Sequence, residues 1–335
     1  MSGKPSSQTE QAVLWLKEDK FRTLKEALRQ FKASRLSILV QLGQEWLRSR
    51  NGYGRERNRM YHPTITKLDS AAIELHPFFP EQSKQLFILT GGLQKALVQK
   101  SPYPTKRRFF DAQWCWALGH IGILYQVIRW FKKNEPDTEL VLETKGAIAN
   151  QYFLSALSTF VTIHGNLPPD MIEEAKFNAC YFGCPDGVHH VHDFMKVAEK
   201  ECEGIHLLEL TEAQKAQTDE LLSQLGIKRP YVCIQARHLE YEPKRNVSLE
   251  QAEKALEYYR SLGYSVVSTG LDMHPINQKI PSVQSLPNRR LASFLLSASC
   301  DQFIGSDSGA WTVPWAFRRP VELINDEIFA AWIYP

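Results

Sequence analysis

Near residue 105 the hydrophobic period of this chain changes, and short apolar runs begin to alternate with helix-length segments. Apolar runs at 108–115, 139–143 and 160–164 are separated by helical patterns, one from the Leu118–Gly122 turn to about Lys133 and one over 146–158. A second series places strands at 231–236, 264–269, 302–305 and 321–324, with helices over 211–226, 249–262 and 288–299. Strands alternating with helices of about 10–15 residues build βαβ units, because parallel neighbours need a long crossover. The expected fold is therefore α/β, with two Rossmann-like domains holding parallel sheets. Residues 165–206, with Pro168-Pro169 and a Cys/His-rich run from Cys180 to Asp193, give no clear period.

Ahead of the α/β part the pattern is helical. Leu14, Leu16, Phe21, Leu24, Leu28 and Phe31 form one amphipathic stripe, and Leu36, Leu39, Leu42 and Leu47 form another. Further helices are expected over 65–75 and 81–98, the first stopped by His76-Pro77. The expected division is a helical region over 1–100, a first Rossmann-like domain over 105–205 and a second over 206–335. Asp69 to Pro77 resembles the second helix of a tetratricopeptide repeat; a helical cap on the next domain is the alternative. In either case the region leaves room for a protein partner.

Composition excludes some functions. Forty Lys and Arg against 37 Asp and Glu leave a net charge of +3, too small to argue for nucleic acid. No apolar stretch reaches the roughly 18 residues of a membrane-spanning helix, and the first eleven residues lack a signal-peptide core. The six cysteines are scattered through a chain long enough to need no staples, and read as reduced thiols. The expected location is cytoplasmic, with a peripheral association with an inner membrane left open.

The segment 303–317, FIGSDSGAWTVPWAF, carries the most chemistry. A strand meets a Ser/Gly turn that opens a helix, and the first helical amides lack internal partners. Such a turn admits a phosphate, with Ser306 and Ser308 donating hydroxyls and Gly309 permitting close approach. It equally admits a plain capped turn, and Asp307 suits a cap or a sugar hydroxyl better than a diphosphate. Arg237, His238, Lys244 and Arg245 follow the 231–236 strand. They read either as a clamp on the same anion or as a solvated basic loop.

The runs YVCIQAR, KRN, YYRSLGYSVVSTG and RLASFLLSASCDQFIGSDSGAWTVPWAFRRPVELIND, in this order, resemble bacterial GT-B-like glycosyltransferases of surface-polysaccharide type. The same turn is similar to the C-terminal half of heptosyltransferases. The resemblance covers about 100 residues and implies donor-site roles for Arg237, Arg245, Asn246, Gly270, Ser308 and Gly309; Ser306 and Asp307 join these donor-site candidates through the chemistry of the turn. Ser268-Thr269-Gly270 departs from it, because an Arg is expected there as a phosphate contact.

Gly119-His120 lies where many inverting GT-B enzymes carry a Gly-His whose imidazole deprotonates the acceptor. A neutral imidazole suits that task, and a structural or capping His is the alternative. Glu143, at the end of the next strand, could orient or replace it; Asp111, placed inside a strand, is less suited. Cys180, Cys184, His189, His190, His192 and Cys202 do not follow a usual zinc spacing, and no Asp-x-Asp occurs. No metal and no cofactor are therefore expected. The resemblance implies sugar transfer from a nucleotide diphosphate sugar to a saccharide, lipid-linked or protein acceptor. A nucleotide-sugar 2-epimerase and a non-catalytic nucleotide-sugar-binding protein are the alternatives.

Overall fold

A computed structural model describes residues 69, 72, 80–103, 106–240 and 243–324. The helical stripes expected over 9–75, most of the tetratricopeptide-like segment, the Lys244 side chain and the chain from Asn325 onward lie outside the described residues.

The helices and strands follow in chain order as α1 (Pro80–Gln99), β1 (Arg107–Phe110), α2 (Leu118–Asn134), β2 (Glu139–Glu143), α3 (Gln151–Leu157), β3 (Thr162–His164), α4 (Pro169–Asn178) and α5 (Val191–Glu201). Then come α6 (Glu212–Gln224), β4 (Tyr231–Gln235), α7 (Leu249–Ser261), β5 (Ser265–Ser268), α8 (Arg289–Ser299), β6 (Gln302–Gly305), α9 (Thr312–Ala316) and β7 (Val321–Leu323). Every strand expected from the sequence is present; β2 and β6 keep their expected bounds, and the others are shorter. The first differs most. It ends at Phe110, and Ala112–Trp114 turn as a 3₁₀ helix, so Asp111 lies beyond the strand rather than inside it. The segment without clear period holds α4 and α5. The first starts on Pro169, whose fixed φ suits a first helical turn.

Local chemistry explains the helix ends. Thr211 and Ser248 form capping boxes with Gln214 and Gln251 at the starts of α6 and α7. Asn150 and Asn288 cap α3 and α8. Gly263, at φ +86°, closes α7 in a backbone conformation that other residues resist.

All seven described strands pair in parallel, giving a mixed α/β protein whose described residues form two parallel sheets. One sheet has the order β1-β2-β3 and the other β5-β4-β6-β7. The chain divides into two compact units interleaved in sequence. Of the described residues, one comprises those up to 113 together with 136–146 and 161–197, and the other 114–135, 147–160 and those from 198 onward. The first sheet lies in the first unit. Helices α2 and α3, which separate its strands in sequence, belong to the second.

In the second sheet, alternate residues feed opposite layers, as period-2 strands require. Tyr231, Cys233, Val267 and Phe303 pack with Leu222 of α6 and with Ala292 and Leu296 of α8. Val232, Ile234, Val266 and Ile304 pack with Ala252 and Leu256 of α7. Each buried Val, Leu, Ile or Phe among them contributes roughly 1.5–3 kcal/mol. Helices thus cover both faces, and the carboxyl edge of the sheet remains the place where loops can form a site.

Candidate functional site

The strand order brings the two anion-binding candidates together. β4 and β6 are neighbours, with Gln235 in register with Gly305, so the loops leaving both strands start side by side. Arg245, in a 3₁₀ turn of the β4–α7 loop, donates from Nε to the carbonyl of Asp307 at 2.7 Å, and the same Nε lies 3.9 Å from Asp307 Oδ2. Asp307 is fully buried, and Arg237 is 4% exposed. The expected cap is not Asp307: Ser308 is the N-cap, its hydroxyl accepting from the Ala310 amide at 3.4 Å. Asp307 instead turns toward Arg245.

The hydroxyls expected at a phosphate are used internally. Ser308 Oγ donates to Gln235 Oε1 at 2.9 Å and Ser306 Oγ to the same oxygen at 3.3 Å. Gln235 escaped the sequence reading, although a polar residue at the carboxyl end of an otherwise buried strand was a readable signal. The helix that opens here is also short. Gly309–Trp311 form a 3₁₀ turn and α9 has five residues, so few peptide dipoles align behind the turn.

Gly309 answers a packing need. A Cβ there would lie 2.9 Å from Gly119 Cα and closer still to the Gly119 amide nitrogen. One turn on, a Cβ at Gly122 would lie 2.6 Å from Thr312 Cγ2. Tyr125 then meets Trp315 edge-on at 5.5 Å between centroids. Residues 119, 122 and 125 of α2 therefore meet 309, 312 and 315, one helical turn at a time. Beyond them Arg129, nearly buried, anchors α2. Its guanidinium donates to Gln126 Oε1, Glu199 Oε2 and the carbonyls of Cys202 and Ile205 at 2.6–2.9 Å.

Asn246 is a clamp for its own loop. Its side-chain oxygen accepts from the Leu239 amide at 3.0 Å, and its amide donates to the Leu239 carbonyl at 2.7 Å. Gly270 follows β5 and is buried. Its amide donates to Ser268 Oγ at 3.2 Å, and a Cβ there would meet Asn277 Oδ1 at 3.4 Å, an ordinary contact.

His120 is the third residue of α2. The Trp116 indole donates its N–H to Nδ1, and the two rings meet edge-on at 5.4 Å. Indole is a donor only, so a neutral His120 in this arrangement carries its hydrogen on Nε2. Trp116 was not identified from sequence; an aromatic residue one helical turn before a His is too common to stand out.

In the first unit, the carboxyl edge of the sheet gathers ionisable groups. Glu143 ends β2 and is 3% exposed. Its Oε1 accepts from the Leu167 amide at 3.1 Å, and Oε2 lies 3.4 Å from Lys145 Nζ. Lys145 holds φ +48°, a turn that folds its side chain back toward Glu143. Asp111 is 8% exposed and caps the Gln113 amide at 3.0 Å. Burial pushes its carboxyl up to about 7. Gln113 and Lys145 lower it and Glu143 raises it further.

Among the described residues no group of three or more His, Cys, Asp or Glu side chains could hold a metal ion. His189 Nδ1 pairs with Asp186 at 2.6 Å, and the His190 ring lies tilted against those of Phe87 and His192. No described helix is long and apolar enough to cross a membrane.

No protein-family model and no curated protein matches the sequence. The structure is similar to the ADP-heptose LPS heptosyltransferase II of E. coli at 14% identity. The match covers 64% of this chain and 82% of that one, with a TM-score of 0.39. A glycosyl transferase of family 9 from Veillonella parvula matches at 14% identity over 64% and 78%, with a TM-score of 0.41. The iron-containing heptosyltransferase TibC of E. coli matches at 18% identity over 68% and 60%, with a TM-score of 0.40. Such low scores establish no residue correspondence.

Proposed function

We propose that this chain is a GT-B-like glycosyltransferase that moves a sugar from a nucleotide diphosphate sugar to an acceptor hydroxyl without a metal ion. The observation that carries the reading is the contact of Arg245 with Asp307, which joins the basic loop after β4 to the turn after β6 at the carboxyl edge of one sheet. Arg237 and Arg245 would hold the diphosphate through charge-assisted bonds, and their charge would oppose the charge that grows on the leaving group. Asn246 and Gly270 shape the loops around it, and Asp307 holds Arg245 in place.

For the donor to use the turn amides and the hydroxyls of Ser306 and Ser308, Gln235 has to release them. The proposed base is His120. It would take the acceptor proton on Nδ1 after the Trp116 indole withdraws, and Glu143 is the replacement if His120 does not serve. The saccharide, lipid-linked or protein acceptor belongs to the same proposal, as do a role in surface polysaccharide and a cytoplasmic location.

Calorimetric titration with UDP, GDP and ADP sugars, followed by a transfer assay with and without EDTA, tests this. Expected are binding of one donor class, a roughly tenfold or greater loss in Arg237→Ala, and transfer that survives EDTA. Loss of transfer in EDTA that Mg²⁺ restores would overturn the metal-independent form.

A second reading, a nucleotide-sugar-binding protein without turnover, is favoured by one observation: His120 Nδ1 already accepts from Trp116. Donor binding with no product across a broad acceptor panel would establish it over the first.

A further inference from the structure

A cavity of about 530 Å³ opens within the second unit, away from the carboxyl edge. Arg229 precedes β4, and Arg318 and Arg319 precede β7, so the cavity lies at the amino ends of the strands. Strands of four or five residues put roughly 15 Å between the two edges. Its apolar wall includes Leu208, Leu210 and Phe317, all buried. Four cationic side chains and two anionic ones line it, so positive charge is in excess.

Three of the four cations already have structural work. Arg229 Nη2 pairs with Asp219 at 3.1 Å, and its Nη1 reaches the carbonyl of Ser299 at 3.4 Å. Arg319 Nε donates to the carbonyl of Ala298 at 3.2 Å. Both arginines thus neutralise the carbonyl end of α8. Lys215 pairs with Glu212 at 2.7 Å.

Arg318 is different. The residue is exposed, and its guanidinium makes no hydrogen bond or ion pair among the described residues. Its backbone is in the left-handed region, at φ +60°. The reason is the end of α9. The Arg319 amide donates to the Pro314 carbonyl at 2.9 Å and the Arg318 amide to the Trp315 carbonyl at 3.0 Å, the paired bonds of a Schellman motif. That motif favours glycine at the position Arg318 holds, because a Cβ is strained there. The chain therefore keeps a long cationic side chain where local stability favours none, and that side chain lines the cavity.

We propose that this cavity is a binding site, separate from the donor site, for a phosphate-bearing ligand with an apolar body. Arg318 holds the phosphate with Arg319 beside it, and the apolar portion lies on Leu208, Leu210 and Phe317. A phosphate suits a guanidinium fork, whereas a neutral apolar molecule would leave the excess charge uncompensated. The same chemistry is offered by a soluble phosphate ester and by an anionic lipid headgroup.

The test is calorimetric titration of the full chain with hexyl phosphate, inorganic phosphate and hexanol. Hexyl phosphate is expected to bind at least tenfold more tightly than either of the others. Arg318→Gly should reduce that affinity at least tenfold while its melting temperature stays equal or rises, since glycine relieves the strained turn. Arg237→Ala, at the opposite edge, should leave hexyl phosphate binding within twofold. Co-sedimentation with phosphatidic acid vesicles, lost in Arg318→Gly, would assign a lipid source; hexyl phosphate binding without sedimentation would assign a soluble one. Three results would each overturn the proposal: hexanol or inorganic phosphate binding as well as hexyl phosphate, full binding by a folded Arg318→Gly, or loss of binding in a folded Arg237→Ala.

Discussion

Gly309 lies against the backbone of Gly119 so closely that a Cβ on Gly309 would sit 3.1 Å from the Leu118 carbonyl carbon and 2.9 Å from Gly119 Cα. The neighbours are main-chain atoms and cannot rotate away. Gly309→Ala should therefore cost about 1–3 kcal/mol, the usual range for overpacking, and Gly309→Val more. Gly119→Ala should be milder, since its Cβ would meet only Gly309 Cα, at 3.4 Å. Urea unfolding midpoints of the three variants check this. An unchanged midpoint in Gly309→Ala would show that α2 does not pack on this turn.

A loss of nucleotide binding in a Gly309 variant would consequently say little about phosphate contact. Arg237 and Arg245 are the better probes. Each Arg→Ala variant should weaken a nucleoside diphosphate by about 10–100-fold, given roughly 1.5–3 kcal/mol for a hydrogen bond to a charged group. The bare nucleoside should lose less than threefold. Equal losses for both ligands would take the arginines off the diphosphate.

His120→Ala is expected to lower kcat by about 10²–10⁴ with donor affinity little changed, as for loss of a general base. His120→Gln separates two roles, because Gln keeps a side-chain N–H donor but cannot take a proton. Equal loss in both variants supports the base. Near-normal turnover in His120→Gln would mean that His120 acts by donating from Nε2, and the base would then be sought at Glu143 or Asp111.

The buried carboxyl of Asp111 makes the stability of the first unit depend on pH. Its folded pKa, raised from 3.8 to about 7, exceeds the unfolded value. The folded state therefore holds the proton more tightly. The contribution is full below about pH 4 and is lost as pH rises through about 7. Asp69 acts in the same sense, since burial raises its carboxyl to about 8 against a lowering bond from Tyr181. Unfolding midpoints should fall between pH 5.5 and 8. Asp111→Asn, which retains the bond from the Gln113 amide, should flatten that slope. An unchanged slope in the variant would place the Asp111 carboxyl in contact with water.

Local and periodic features were legible in the sequence. Strand cores such as Tyr231–Gln235, the Ser248 cap and the Gly263 stop depend on neighbours within a few residues, and the pattern there is strong. The alternation of strand and helix was enough to determine two parallel sheets, because parallel pairing requires the crossovers that the helical segments provide. The 306–309 turn and the basic loop after β4 were also visible as separate pieces.

Only the tertiary structure decided what those pieces touch. The adjacency of β4 and β6 set Arg245 on Asp307 and gave the hydroxyls of Ser306 and Ser308 to Gln235, 71 and 73 residues away in sequence. The pairing of Gly119 with Gly309 gave that glycine a packing role and drew α2 into the second unit. Helix α2 buries residues on nearly every side, so its own periodicity could not reveal which neighbour it chose. Such contacts arise from shape and unpaired polar groups meeting across long loops, and a linear pattern carries no record of that distance.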